Sequence, residues 1–216
     1  MIHRPRKQGC RKCRPPLFRK AVKYTPDMLW VITAPHFIRD EVSIITDLIH
    51  AGANRVIIRK PDWKPEEYEL LLNQLPSSIY SKILIRNHYQ LAEQYCLAGI
   101  HWNQTPTFTT GKEHCTGIHN INELTEKDRR FNTLLLSPVF DSISKPGYKG
   151  LHACKIETQN RTVLALGGVN HTNIASLKNW NFNGAALLGA IWKHPETAIQ
   201  SFLKIQKAWK QSDQRQ

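Results

Sequence analysis

The residue types that handle anions and protons fall into a few short stretches of this chain. Leu166–Asn170 (L-G-G-V-N) and Leu187–Trp192 (L-L-G-A-I-W) put glycine where a backbone must come close to a neighbour or an anion. Ser137–Gly150 (S-P-V-F-D-S-I-S-K-P-G-Y-K-G) supplies the hydroxyls of Ser142 and Ser144 and the ammonium of Lys145. That donor set suits a phosphate or pyrophosphate, and the Pro and Gly around it suggest a lid. T-G-I-H-N carries His119, a side chain able to take and return a proton near neutral pH. Arg59 and Arg86 could each grip a carboxylate or phosphate through two parallel N–H bonds. A solvated or structural charge is the alternative for both, and a hydrogen-bonded core imidazole is the alternative for His101.

These stretches need a scaffold that brings them to one place, and the apolar pattern supplies one. Eight short apolar runs read as strands: Leu29–Ala34, Arg55–Arg59, Lys82–Arg86, Gly99–Trp102, Cys115–His119, Thr133–Ser137, Thr162–Leu166 and Gly184–Leu188. V-I-I and L-L-L are apolar without alternation, as strands buried on both faces are. Helical spacing marks Asp40–His50, Lys64–Leu75, Tyr89–Leu97, Asn120–Lys127, Asn170–Lys178 and Pro195–Trp209, with Asp40 placed to cap the first. Eight strands alternating with helices imply an α/β fold, a parallel (β/α)8 TIM barrel. The competitor is a doubly wound open sheet, which would show a Gly-rich turn after the first strand; that turn reads A-P-H-F-I. Between Trp102 and Cys115 the Thr-rich stretch has no helical pattern, so the helix between strands four and five is expected to be reduced or absent. In such a barrel the residues after each strand meet at one mouth, and glycine turns after strands seven and eight are a common phosphate site.

The net charge of +13 is unevenly spread. Residues 1–27 hold nine Lys and Arg against the single acid Asp27. This segment reads as a basic, disordered tail; contact with nucleic acid or an acidic surface is the alternative. Met28 stands as a candidate start of translation, a reading that an intact 1–27 peptide in the native protein would overturn. The expected organisation is a tail over 1–27, a barrel over 28–210 and a polar tail over 211–216. No apolar run spans a bilayer and no signal-peptide core follows the basic start, so a cytoplasmic protein without a membrane partner is expected. Cys10 and Cys13 form a C-x-x-C pair without a second pair to complete a zinc site, and no metal ligand set is assigned.

Taken together, these stretches resemble the thiamine phosphate synthase/TenI family over nearly all of Met28–Trp209. S-P-V-F-D-S-I-S-K-P-G is similar to the family's G-P-[VI]-[FY]-x-T-x-[TS]-K loop, A-L-G-G-V to A-I-G-G-[IV], and G-I-H-W-N-Q to G-V-H-L-G-Q. V-I-I-R-K-P is a looser match to Q-L-R-E-K, with Arg59 on its arginine. The resemblance implies that Ser142, Ile143 and Ser144 meet the phosphate of a thiazole phosphate. It also implies that the backbone at Gly167, Gly168, Leu188 and Gly189 completes the cup, and that Lys145 faces a pyrimidine pyrophosphate. A synthase of this family joins the two substrates with the help of Mg²⁺, using an acid in an N-D pair after strand three and another in G-Q-x-D. Here those places read R-N-H (Arg86–His88) and Q-T-P (Gln104–Pro106). Pro61 stands where Q-L-R-E-K has its lysine, and Gly117 where the family has a serine two positions before the histidine.

The thiazole half of the pattern is therefore kept and the pyrimidine half is not. That suits the family's other branch, the thiazole tautomerases, which isomerise a thiazole carboxylate phosphate without a metal and use the histidine of S-V-H as acid and base. His119 in G-I-H matches it. Three readings stand: a tautomerase acting through His119, a synthase with Mg²⁺ as its cofactor, and a non-catalytic ligand-binding regulator that depends on residues 1–27. The expected partner is a small thiazole phosphate rather than nucleic acid, and self-association is left open.

Overall fold

The computed structural model describes residues 28–143 and 147–211, so Ser144, Lys145 and the 1–27 segment lie outside the described residues. Eight strands, β1 (Met28–Ile32), β2 (Arg55–Ile58), β3 (Ile83–Arg86), β4 (Gly99–Trp102), β5 (Glu113–Ile118), β6 (Thr133–Leu136), β7 (Thr162–Leu166) and β8 (Gly184–Leu187), close into one all-parallel barrel in sequence order. Closure comes from β8 pairing with β1, with Trp30 opposite Ala186. The expected (β/α)8 barrel is the fold.

Parity along each strand sorts the side chains into two cores. Trp30, Ile32, Ile57, Leu84, Cys115, Leu135, Leu164 and Ala186 fill the barrel. Their neighbours Val31, Val56, Ile58, Ile83, Ile85, Leu134, Leu136 and Val163 point outward into the layer shared with the helices. Both faces are dry, which is why the strands read as unbroken apolar runs. The floor of the barrel is closed by Arg55, whose Nε donates to Glu113 Oε2 at 2.9 Å.

The helices are α1 (Glu41–His50), α2 (Pro65–Gln74), α3 (Tyr89–Gln94), α4 (Glu123–Glu126), α5 (Ser176–Asn179), α6 (Gly189–Trp192) and α7 (Ala198–Gln211). On α1, Ile45, Leu48 and Ile49 face the barrel, and Phe202, Ile205 and Trp209 do so on α7. Asp40 does not cap α1 through its side chain; it sits in the left-handed region at φ 58° with no such bond. α3, α4 and α5 are shorter than their apolar spacing predicts, because turns replace their first or last residues.

Between β4 and β5 the chain forms no helix, as expected, and a buried imidazole holds the connection instead. Trp102 Nε1 donates to His114 Nδ1 at 3.0 Å, so the proton lies on His114 Nε2, which reaches Thr109 O at 3.0 Å. Phe108 packs edge-on against both His114 and Phe131. The connection from β6 to β7 also has no helix among its described residues. No helix among the described residues is long and apolar enough to cross a membrane.

Candidate functional site

All the strand ends singled out by the sequence open on one rim. β6, β7 and β8 are neighbours, with Leu136 opposite Ala165 and Leu166 opposite Ala186. The loop after β6 and the turn after β7 are laced together: Val139 N–H donates to Leu166 O at 2.9 Å and Phe140 N–H to Gly167 O at 3.0 Å. Gly167 and Gly168 both have positive φ, 96° and 68°. At Gly168 a Cβ would stand 2.2 Å from Asp141 O and 2.6 Å from Phe140 Cβ. The glycine is therefore required first by the neighbouring loop, which occupies the space a side chain would need.

Between that loop and that turn lies a cleft of about 430 Å³ lined by Ser142, Ile143, Gly150, Gly168, Asn170 and Asn173, among others. Asn173 and Asn170 shape its far wall. Asn173 Nδ2 donates to Gly168 O at 3.0 Å, and Asn173 Oδ1 accepts the Asn170 N–H at 2.9 Å. With its carbonyl tied back, the Gly168 N–H makes no hydrogen bond to any described residue, and neither does the Gly189 N–H at the start of α6. The loop is closed on itself. Asp141 accepts the Gly150 N–H at 2.8 Å and pairs with Lys149 Nζ at 2.9 Å, and Ser142 N–H donates to Tyr148 O at 2.9 Å. Those hydrogen bonds, from Gly150 first and Lys149 next, hold the Asp141 carboxyl below its usual range.

His119 follows β5, and its ring is fixed by β6. Nδ1 lies 3.0 Å from Ser137 O and 3.2 Å from Ser137 Oγ. A carbonyl can only accept, so Nδ1 carries the proton and Nε2 is the basic nitrogen. The backbone around it is pinned as well. Glu123 Oε1 accepts the N–H of His119 at 2.8 Å and of Asn120 at 3.1 Å, while His152 Nε2 meets His119 O at 2.9 Å. Burial pushes the Glu123 carboxyl up, but the bonds from His119, Lys127 and Asn120 outweigh it and hold it low. Ser137 starts the loop whose Val139 lines the cleft, so the imidazole and the cleft share one strand end.

Arg59 does not join this cleft. It projects from the end of β2 into the barrel, in a row with Arg86 on β3 and His101 on β4; Arg86 and His101 are register partners. Burial, then the neighbouring Arg86, lowers the pKa of Arg59. Burial, with both guanidiniums adding to it, brings His101 down to about 4. His101 Nδ1 lies 3.4 Å from the Cys115 thiol. Lys60, the next residue after Arg59, takes the opposite parity. Its ammonium is fully buried outside the barrel, 2.7 Å from both carboxylate oxygens of Glu41 and from His36 O.

Ser142, Ile143 and Gly168 line one cleft and Gly167 is bonded across to Phe140; His119 is tied to Ser137, where the same loop begins, and Leu188 and Gly189 follow β8, the neighbour of β7. The side chain of Leu188 packs against the barrel core, leaving its backbone and that of Gly189 for the rim. Ser137, Glu123, His152, Asn170 and Asn173 complete the site without having been singled out. N-x-x-E at Asn120–Glu123 and N-x-x-N at Asn170–Asn173 are local capping patterns that could have signalled two of the turns. The roles of Ser137 and His152 depend on pairing between distant segments and leave no local trace.

The chain superposes on a crystal structure of thiamine phosphate pyrophosphorylase from Bacteroides thetaiotaomicron with TM-score 0.69 and 25% identity, covering 85% of this chain and 98% of that one. Thiamine phosphate pyrophosphorylase from Pyrococcus furiosus gives TM-score 0.66 at 17% identity, over 86% of this chain and 96% of that one. Phosphoribosyl anthranilate isomerase from Thermus thermophilus gives TM-score 0.53 at 13% identity, over 85% and 99%, and shares the fold alone. No protein-family profile matches the chain. No curated protein sequence matches it either.

Proposed function

We propose that the chain is an enzyme of thiamine biosynthesis that binds a thiazole phosphate at the rim and moves a proton through His119. The observation that carries this reading is the tautomer of His119. With Nδ1 donating to Ser137 O, the lone pair of Nε2 is the one left to take a proton, and the carbonyl holds the ring in place as it does so. Ser142 and the N–H groups of Gly168 and Gly189, which bond to no described residue, are suited to the phosphate. Nε2 removes a proton from one position of the thiazole ring and returns it at another, a net isomerisation without a second substrate. Ser144 is proposed to add a second hydroxyl to the phosphate, as the resemblance implies.

The second reading, a thiamine phosphate synthase, is favoured by the likeness to the two pyrophosphorylases. Its Mg²⁺ does not fit the residues present. Asn87 and Asn103, near the places of the family's acids, are spent on each other, with Asn103 N–H donating to Asn87 Oδ1 at 3.1 Å. His88 packs its ring on Tyr68 at 4.7 Å. Among the described residues no three His, Cys, Asp or Glu side chains converge to hold a metal. Mg²⁺ takes oxygen ligands, usually including a carboxylate, and the tautomerase reading is preferred on that ground.

The test compares wild type and His119→Ala on thiazole carboxylate phosphate. Turnover should fall by at least ~100-fold, the scale of a lost general acid–base group, with phosphate affinity retained. Unchanged turnover rejects the role of His119. Formation of thiamine phosphate that rises with added Mg²⁺ moves the assignment to the synthase.

A further inference from the structure

The cysteines away from the rim take no part in the function proposed above. Cys96 follows α3 and precedes β4, so it lies at the base of the barrel, the end opposite the rim. Its setting is unusual for its type. The Leu97 N–H donates to Ala92 O at 2.9 Å and the Cys96 N–H to Glu93 O at 3.2 Å, the paired bonds of a Schellman turn. That turn puts Cys96 in the left-handed region at φ 52°, where glycine or asparagine is the usual occupant. The other described non-glycine residues with positive φ are Asp, Asn or Gln. The backbone therefore favours a different residue at 96, and what cysteine adds is its sulfur. That sulfur is in a disulfide. Cys115 and Cys154 are free thiols, which leaves Cys10 or Cys13 as the partner, the C-x-x-C pair outside the described residues.

We propose that Cys96 and the C-x-x-C pair form a thiol–disulfide exchange site, a redox latch that ties the basic 1–27 segment to the base of the barrel. The topology allows it. Met28 enters β1 at the base, the same end as Cys96. β1 and β4 are three strands apart, roughly 15 Å along the sheet. The 15 residues from Cys13 to Met28 can span about 50 Å. In the exchange, the Cys96 thiolate attacks one sulfur of an oxidised Cys10–Cys13 pair. A bond forms to that sulfur, the Cys10–Cys13 bond breaks, and its electron pair leaves on the other sulfur, which takes a proton from water. Attack by that second thiol on the new disulfide reverses the step and frees Cys96. The pair itself is oxidised by a low-molecular-weight disulfide, which leaves as two thiols. Three cysteines thus make the latch reversible, where two would make only a fixed cross-link.

The experiment uses the full chain, equilibrated with oxidised glutathione or with dithiothreitol, alkylated with iodoacetamide and digested with trypsin without reduction. Trypsin cuts after Arg11 and Lys12, so Cys10 and Cys13 fall on different peptides and mass spectrometry names the partner. Oxidised monomer should carry Cys96 linked to one of them, and reduced protein should carry Cys96 alkylated. Cys96→Gly suits the left-handed backbone, so it should melt no lower than wild type in dithiothreitol, and it should leave only the Cys10–Cys13 bond on oxidation. Cys115→Ser and Cys154→Ser should leave the link as it is. With about 0.1 mM dithiothreitol, release of Cys96 should slow roughly 10-fold when the resolving cysteine is changed to Ser, because a neighbouring thiol acts at an effective concentration in the millimolar range. Cys96 found alkylated after oxidation, linked to Cys115, Cys154 or a second chain, or released equally fast without the resolving cysteine overturns the proposal.

Discussion

The pair Lys60–Glu41 offers the sharpest test of how the mouth is held. Lys60 follows β2, Glu41 opens α1, and both side chains are essentially without solvent contact. The ammonium spends its three protons on the two Glu41 oxygens and on His36 O, each at 2.7 Å, which bolts the β1–α1 connection to the end of β2 beside Arg59. Burial pushes the Glu41 carboxyl up and the Lys60 ammonium down, and each partner opposes the other's shift. In Glu41→Leu the stranded ammonium can escape only by losing its proton, which at pH 7 costs about 5 kcal/mol for an ordinary lysine. In Lys60→Met the stranded carboxylate takes up a proton, at a cost of about 4 kcal/mol at pH 7. Those values cap the single losses, which agree with the roughly 3–5 kcal/mol typical of a broken buried pair. The double variant leaves no buried charge and should lie within about 1 kcal/mol of wild type. Urea unfolding at 25 °C measures all four proteins. The signs with pH also differ: the Lys60→Met deficit should shrink as pH falls toward 4, since the carboxyl is then protonated in both states. The Glu41→Leu deficit should shrink as pH rises toward 10. Single losses under about 1 kcal/mol, or a double variant as unstable as the two singles combined, would refute the reasoning.

Two further outcomes test the interior and the rim. His101 titrates near 4 in the folded protein and near 6.5 when unfolded, so below pH 6.5 the unfolded chain binds a proton that the folded chain refuses. Its contribution is fully present above pH 6.5 and is lost by about pH 4, amounting to about 3 kcal/mol. Urea unfolding of His101→Gln between pH 7 and 4.5 should show a correspondingly flatter decline, and a slope equal to wild type would discount the burial. At the rim, Gly168→Ala drives a Cβ into Asp141 O and keeps a φ of 68°, which should cost about 2–4 kcal/mol. Gly147→Ala, at φ 80° with nothing within 4 Å, should cost only about 1 kcal/mol in the same measurement. Equal losses at the two glycines would mean that the β6 loop yields easily.

The barrel was legible because it is written in local apolar runs. V-I-I at Val56–Ile58 and L-L-L at Leu134–Leu136 need burial on both faces, and only a sheet covered on one side by helices and on the other by itself provides it. The missing helix after β4 was legible as an absence of periodicity. What replaced it was not, because His114 works through Trp102 and Thr109, contacts set by folding. The side-chain cap expected of Asp40 has the same origin: the residue does stand at the N-cap of α1, but its backbone is left-handed and its side chain makes no capping bond. At the site, Gly168 and Ser142 were legible as residue types in the right turns. The reason for Gly168 was not, since the nearest obstruction is the loop after β6.

Strand parity then decides which of the rim's charges can act. Arg59 and Lys60 are adjacent in sequence and both basic, yet the side-chain period of two sends one into the barrel and the other into the helical layer. Arg86 shares the parity of Arg59, so its charge acts on that of Arg59, whereas the Lys60 ammonium finds a carboxylate and becomes a bolt. His119 follows β5 and is held by a carbonyl rather than an acid, which leaves Nε2 available. A ligand spanning the mouth would thus meet main-chain donors at the rim, a base beside them and fixed positive charge within. Each of these follows from which strand a residue ends and which way that last residue faces.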